Sequence, residues 1–226
     1  MARYKRIHVK ENIKGPDEFV SFWARAYFWA DANKRTVLNY ALALTGVALL
    51  ALGFLYRRQA AEASASAALS NILRDAPQPG AEPKPDELAK LGESLADFAK
   101  KYSGTKAGRE GELYQANFLR DKKNLAEAEK LYLNVMAGGN DLVSQLACLG
   151  LASAYQNDGK FAEAAALLDK HRANSFFEDE IDYMYALNFE LSNDKAGALK
   201  EYKKYLDKHP SSRNAGAARE AVARLS

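Results

Sequence analysis

An uncharged apolar run of 20 residues, from Val37 to Tyr56, constrains this chain more than any other feature. It reads VLNYALALTGVALLALGFLY. As a helix that rises about 1.5 Å per residue, the run would be roughly 30 Å long, the thickness of a bilayer's hydrocarbon core. Basic pairs flank it at positions 34–35 and 57–58. Because a buried core helix rarely extends this far without a charge, the run predicts a single transmembrane helix within residues 36–58.

The charges on the two sides of the run indicate its orientation. Residues 1–35 carry 8 Lys/Arg and 4 Asp/Glu, whereas residues 59–226 carry 22 and 25. Basic residues are enriched on the cytoplasmic side of membrane helices, so this bias favours a cytoplasmic N-terminus. Close to the run the bias is small, with three Lys/Arg within about 20 residues on each side. The run is too long, and starts too far into the chain, for a cleaved signal peptide, so we expect an uncleaved signal anchor.

The tail that precedes the run, residues 1–35, contains an aromatic-rich helical pattern. Residues 1–15 are basic and polar and have no apolar period. From Pro16 onward, one predicted helical face collects Phe19, Phe22, Trp23, Ala26, Tyr27 and Ala30. Aromatic residues on one face directly before a span are typical of an amphipathic helix that lies in the membrane interface. A helix that packs on a partner subunit is the alternative.

The segment 59–108 reads as two helices joined by a proline-rich loop. An alanine-rich pattern runs from Gln59 to Asp75, and four prolines and a glycine then fall between positions 77 and 85. A second helix is predicted to start near Asp86 and to end at Ser103-Gly104. Its apolar stripe consists of Leu88, Leu91, Leu95, Phe98 and Tyr102.

From about residue 109 the chain repeats one pattern three times. The matching segments are LYQANFLRDKKNLAEAEKLYLNV, LGLASAYQNDGKFAEAAALLDKH and MYALNFELSNDKAGALKEYKKYL. In register they place an alanine, a large apolar residue, a second alanine and a second large residue, in the sets Ala116, Leu119, Ala128, Tyr132; Ala152, Tyr155, Ala164, Leu168; and Ala186, Phe189, Ala198, Tyr202. The units are spaced by 36 and then 34 residues. Such a helix–turn–helix repeat, with small residues where helices cross, is the tetratricopeptide signature.

The three units differ at their turns. The second has Gly159 between its helices and the third closes with Pro210, whereas the first has Asn124 at its turn and Asn140 where the closing proline would be, which predicts a bend there. A last helix over 211–225 would cover the end of the stack. The sequence therefore predicts an all-α protein, in which one transmembrane helix precedes a solenoid of three tetratricopeptide-like hairpins and a capping helix over 109–226.

A basic tail, one span, an alanine-rich helix and degenerate tetratricopeptide units together resemble a bacterial family. These are the single-pass inner-membrane proteins that serve as ancillary subunits of the SecYEG translocon. The resemblance covers about residues 17–210, and its specific motifs are the repeat positions given above. It implies a periplasmic repeat domain, close to emerging substrates, that contacts the translocon, periplasmic chaperones or envelope-assembly factors.

The sequence contains no recognisable catalytic or metal-binding constellation. His8, His171 and His209 are scattered, without a cysteine or carboxylate at ligand spacing on one helix face. There is no glycine-rich phosphate loop and no nucleophile elbow. Cys148 lies in the apolar run LVSQLACLGLA and is predicted to be core. We therefore expect no enzyme activity, no cofactor and no metal ion.

Two further ligand classes are disfavoured by charge. The acidic run Glu178, Asp179, Glu180 and Asp182 lacks the glycine-centred loop of calcium sites, so it reads as a solvated helix start. The near-neutral charge of residues 59–226 argues against nucleic-acid binding, which needs a clustered basic face.

A peptide-binding groove is better supported, because the first helices of such stacks line a concave surface. The predicted groove residues are Leu113, Asn117, Arg120, Leu149, Ser153, Gln156, Tyr183, Leu187 and Glu190. Ordinary packing between repeats is the alternative for each of them. Some tetratricopeptide domains grip a C-terminal carboxylate with repeated Lys and Asn residues. Here Leu113 and Ser153 stand at two of those positions, so the clamp is not expected.

These patterns predict a non-enzymatic scaffold, anchored in the bacterial inner membrane, that binds proteins during translocation or envelope assembly. The alternative is a structural accessory subunit of a larger membrane complex, docked through the aromatic helix and the span. Gly46 and Gly53 could permit close packing of two spans, so homo-oligomerisation stays open.

Overall fold

The computed structural model describes residues 18–77, 84–173 and 175–226, and for residues 18–21 the backbone alone. Within these residues the chain forms helices and no strand, which confirms the all-α prediction. The helices are α1 (Glu18–Ala32), α2 (Lys34–Arg74), α3 (Pro85–Lys101), α4 (Lys106–Asp121), α5 (Leu125–Ala137), α6 (Leu142–Asn157), α7 (Phe161–His171), α8 (Glu178–Leu191), α9 (Lys195–Lys208) and α10 (Ala215–Leu225). The predicted tail over 1–15 and most of the proline-rich loop lie outside the described residues.

The chain divides into two compact units, which meet within α2 between Arg57 and Arg58. In the part of the chain that the structure describes, α2 is the one helix long and apolar enough to cross a membrane, by length and composition. None of its apolar window is buried. The predicted span is therefore a continuous, uncovered helix, and the helix continues to Arg74, as expected for the alanine-rich segment.

The aromatic residues of α1 occupy a broader arc than the sequence predicts. Phe22, Trp23 and Tyr27, from the predicted apolar face, are exposed, and so are Phe28 and Trp29. At about 100° per residue, Phe28 points away from the arc that holds the other rings. The helix thus presents aromatic side chains around most of its circumference.

The second unit is a stack of helical hairpins. Each helix from α3 to α10 packs against the next, and the first helices α4, α6 and α8 also contact one another in series. The pairs α4–α5, α6–α7 and α8–α9 are the three predicted repeats, and α10 packs on α9 as the predicted cap. This cap begins at Ala215 rather than Ser211, because the residues between His209 and Asn214 form hydrogen-bonded turns.

The repeated small residues lie where helices cross, as predicted. All six aligned alanines are fully buried: Ala116, Ala128, Ala152, Ala164, Ala186 and Ala198. The large residue that follows in each second helix is buried too, and Tyr132, Leu168 and Tyr202 fill the space between neighbouring helices. The core is therefore continuous along the stack, because each hairpin buries its apolar face against the next one.

The turns inside the repeats correct one alignment. The left-handed residue of each turn is Lys123 (φ 61°), Gly159 (φ 74°) and Asn193 (φ 64°), at the same spacing as the alanines. Lys123, not Asn124, is thus the counterpart of Gly159. Asn124 instead caps α5, where its side-chain oxygen accepts the N–H of Glu127.

A buried arginine holds the junction at which the first repeat lacks its proline. Arg109 donates to both carboxylate oxygens of Asp141, at 2.7 and 3.1 Å, and to the Val135 carbonyl at 3.0 Å. Its guanidinium also bonds Ser144 Oγ at 2.7 Å. These bonds lower the pKa of Asp141 well below its ordinary value, Arg109 first and the Ser144 N–H second. Through this clamp the end of α5 and the start of α6 are joined by side chains of α4.

The part of α2 beyond Arg58 docks on the stack. Ala65 and Leu69 pack against Phe98 of α3 and Ala107 of α4. The carboxylate of Glu62 accepts the N–H groups of Lys106 and Ala107, at 2.8 and 2.9 Å. Since the first amides of a helix lack internal partners and carry partial positive charge, Glu62 caps α4 from outside the repeats.

Candidate functional site

The nine predicted groove residues form three rows of equivalent positions, and the structure assigns the rows different roles. The first row, Leu113, Leu149 and Tyr183, is half-buried and packs against the neighbouring helices. Tyr183 makes this plainest, because its ring centroid lies 5.9 Å from that of Tyr202 and 5.6 Å from that of Tyr205. For this row the structure favours packing between helices over an open groove.

The third row, Arg120, Gln156 and Glu190, is held in polar contacts within the stack. Gln156 is only 7% exposed, and its Nε2 donates to the Met184 carbonyl of α8 at 2.9 Å. Glu190 accepts the Tyr202 hydroxyl at 3.0 Å and pairs with Arg224 at 2.6 Å. Arg120 bonds the carboxylate of its neighbour Asp121.

The middle row is the most open of the three. Ser153 and Leu187 are half-buried on the first helices. Asn117 accepts the hydroxyl of Tyr132 at 2.6 Å, which fixes both side chains. Burial raises the pKa of Tyr132 to about 12, so this phenol stays protonated and keeps donating. Of the predicted groove, then, this row faces outward at the centre of each first helix.

Exposed apolar side chains reveal a face one position away from the predicted one. Among the described residues of the second unit, the exposed large hydrophobic side chains are Tyr114, Leu133, Leu142, Leu146, Phe176 and Leu191. Only Leu133 belongs to a second helix. The other five lie on the first helices or, in the case of Phe176, just before one. Scattered exposed leucines are common, but a set confined to one kind of helix marks an interaction surface.

These residues share one helical face, because they follow the spacing i, i+4, i+7, i+11. We call this face the first-helix strip and define it by Glu110, Tyr114, Asn117 and Asp121 on α4; Leu142, Leu146, Ser153 and Asn157 on α6; and Phe176, Glu180, Leu187 and Leu191 at α8. At two positions of the same face, Gly150 lies against the Tyr132 ring and Met184 is buried. The strip includes the middle row but neither of the other two. A helical wheel drawn from the buried alanines would have indicated it.

A network of hydrogen bonds fixes the loop that presents Phe176. The Gln145 side-chain oxygen accepts the Ser175 hydroxyl at 2.9 Å and the Phe176 N–H at 2.7 Å. Gln145 is itself buried, and its Nε2 donates to Asn140 Oδ1 at 3.0 Å. Phe176 is 72% exposed on this ordered loop, in register with exposed Leu142 of the preceding repeat. The exposure of this ring thus comes from a defined loop geometry.

The acidic helix start is only partly solvated, which corrects one prediction. Asp182 is 4% exposed, and its Oδ1 accepts two bonds from Arg172, at 2.7 and 3.0 Å. Its Oδ2 lies 3.0 Å from both Lys208 Nζ and His209 Nε2. Burial alone would raise the pKa of Asp182, but the hydrogen bonds from His209, Lys208 and Arg172 lower it. A histidine is therefore paired with a carboxylate 27 residues away, which local spacing could not indicate.

The described residues offer no obvious catalytic chemistry. They contain no group of three or more His, Cys, Asp or Glu side chains arranged to hold a metal ion. Cys148 is buried, as predicted, and burial raises the pKa of its thiol to about 11, so the reactive thiolate is strongly disfavoured at neutral pH.

Comparisons with known proteins agree with this architecture. The family model described as a tetratricopeptide repeat-like domain matches residues 27–223, so the chain belongs to that family. Among solved structures, one described as the nearly identical TPR-like repeats of a Podosopora anserina kinesin light chain matches with a TM-score of 0.50. It is 14% identical and the match covers 75% of this chain and 85% of that one, so the likeness concerns the fold. No curated protein sequence matches. Tetratricopeptide-like repeats typically serve protein–protein interaction and not catalysis.

Proposed function

We propose that this protein is a membrane-anchored scaffold that binds segments of partner proteins on the first-helix strip. One observation carries the proposal: of the exposed large hydrophobic side chains described in the second unit, all but Leu133 lie on that strip. Apolar surface contributes about 25 cal/mol per Å² when it is covered, so these side chains can supply binding energy. A groove of helices is suited to an extended or helical peptide.

We further propose that the repeats lie on the periplasmic side of the bacterial inner membrane, where they assist protein translocation or envelope assembly. Two features support this placement. The excess of Lys/Arg before the apolar run favours a cytoplasmic N-terminus. The order of tail, span and repeats also resembles the ancillary subunits of the SecYEG translocon, whose partners would include periplasmic chaperones and assembly factors.

Photo-crosslinking in cells tests the binding surface. A benzophenone amino acid would replace Tyr114, which is 43% exposed on the strip, or Leu133, which is 47% exposed on a second helix. The two sites are matched in exposure, so the proposal predicts protein adducts at Tyr114 and few or none at Leu133. Equal labelling at the two sites would contradict it.

Protease accessibility tests the placement. A C-terminal epitope tag should be digested in intact spheroplasts if the repeats are periplasmic. Protection of the tag until lysis would place the repeats in the cytoplasm and would overturn the translocation proposal, whereas the binding strip would remain open to test.

The exposed aromatic side chains of α1 favour a second candidate, a structural subunit of a larger membrane complex. Phe22, Tyr27, Phe28 and Trp29 would then contact partner helices instead of lipid. Copurification distinguishes the two candidates. A structural subunit should remain in stoichiometric amounts with its complex in mild detergent, whereas a recruiting scaffold should be substoichiometric.

A further inference from the structure

The charge of the first-helix strip restricts what the strip can bind. Half of its residues are apolar, three are acidic (Glu110, Asp121 and Glu180), and none is basic, although the chain has 32 Lys/Arg. The one lysine in register with the strip, Lys106, lies at its edge, one turn before Glu110. An apolar surface bordered by carboxylates repels acidic ligands, because like charges brought together across an interface are unfavourable.

The three carboxylates are not equally available. Glu110 is exposed and makes no ion pair within the described residues. Glu180 accepts one hydrogen bond, from Asn214 Nδ2 at 2.7 Å, and a carboxylate can accept several. Asp121 is already paired with Arg120 at 2.9 Å. Unmatched negative charge therefore lies near the N-terminal ends of α4 and α8, in the same row as Leu146 of α6 between them.

We infer that the strip takes a partner segment that combines apolar side chains with Lys or Arg. This inference rests on the proposed function and names the chemistry of its ligand. The apolar side chains would cover Tyr114, Leu146 and Leu191, while a cation would sit beside Glu110. The apolar contacts supply most of the affinity, and the carboxylates select the sign of the ligand's charge.

The test uses the full-length chain in nanodiscs of zwitterionic lipid, with empty nanodiscs as the blank. Three fluorescent, C-terminally amidated peptides share one length and one apolar pattern, and carry lysine, glutamine or glutamate at the polar positions. Binding is followed by anisotropy at low and high salt. Photo-crosslinking from a benzophenone at Tyr114, with Leu133 as the matched site, reports where each peptide lies.

The lysine peptide should bind tightest, should crosslink at Tyr114, and should lose its advantage at high salt, where exposed charges are screened. Glu110→Gln should weaken the lysine peptide about two- to fivefold and should leave the glutamine peptide unchanged, since exposed ion pairs contribute modestly. Glu163→Gln, an exposed site on the second helix α7, is the control and should change neither.

The outcomes separate this inference from the proposed function. Crosslinking at Tyr114 by the glutamine or glutamate peptide, with affinity equal to or above that of the lysine peptide, would overturn the charge preference and leave the strip as the binding site. If no peptide reached Tyr114 above the level at Leu133, both the inference and the strip would be refuted.

Discussion

Replacing Asp182 with asparagine should destabilise the repeat stack by about 3 kcal/mol, because removal of one partner from a buried ion cluster leaves the remaining charges uncompensated. Asp182 is 4% exposed, and each of its oxygens is used: Oδ1 by Arg172, Oδ2 by Lys208 and His209. An amide can accept at only one of these places, and its NH2 group would face donors at the other. We choose the lower end of the range of about 3–5 kcal/mol because Lys208 is 45% exposed and can be solvated.

The measurement is thermal and urea unfolding of the full-length protein at neutral pH, followed by circular dichroism. For a domain of this size, a loss of 3 kcal/mol corresponds to a decrease in Tm of about 6–12 °C. Asp169→Asn is the matched control, since Asp169 pairs with the same Arg172 at 3.5 Å but is 64% exposed. It should cost less than about 1 kcal/mol. An Asp182→Asn protein as stable as Asp169→Asn would refute the reasoning.

The effect of pH gives a second check with a defined sign. The pKa of Asp182 is lowered from its ordinary value of 3.8, because its hydrogen bonds outweigh the effect of burial. A carboxylate of this kind stabilises the fold fully above its unfolded pKa, and the contribution is lost as the pH falls through the folded pKa. The difference between the wild type and Asp182→Asn should therefore be constant from about pH 5 to 8 and should narrow below about pH 4.

Three further changes test the packing of the stack. Ala164→Leu, at a fully buried helix crossing, should cost about 1–3 kcal/mol in unfolding free energy, whereas Ala162→Leu on the exposed side of the same helix should change it by less than about 0.5 kcal/mol. Glu62→Gln should weaken the cap of α4 by about 0.5–2 kcal/mol and should speed hydrogen exchange of the first α4 amides. Gly150→Val should lower Tm, because a Cβ there would lie 2.7 Å from the ring of fully buried Tyr132; an unchanged Tm would mean that the ring can move.

Local patterns were sufficient for the order and type of the helices. A helix needs only an apolar side chain every three to four residues, and small residues at fixed spacing mark where two helices cross. Both signals are written within a few turns of chain, so the repeats, the buried alanines and the long apolar helix could be predicted. The turn residue Lys123 could not, because glycine or asparagine is the usual sign of a left-handed turn and lysine is not.

The candidate site was only partly predictable, since the choice between a groove residue and a packing residue depends on neighbouring helices. One step along a helix turns a side chain by about 100°, so an alignment shifted by one position exchanges Leu113, which packs, for Tyr114, which is exposed. Similarly, Gln156 reads as a groove amide until α8 supplies the Met184 carbonyl that it bonds.

The sequence by itself determined what is local: an apolar helix of membrane-spanning length, a repeat of about 34 residues, and the alanines that let helices approach each other. The tertiary structure alone decided which side chains remain open, because burial is a property of pairs of helices. It brought Asp182 to Lys208 and His209, placed Glu62 on the end of α4, and left one face of the first helices apolar and free of basic residues. Contacts between residues 26 to 45 positions apart leave no periodic trace in the chain.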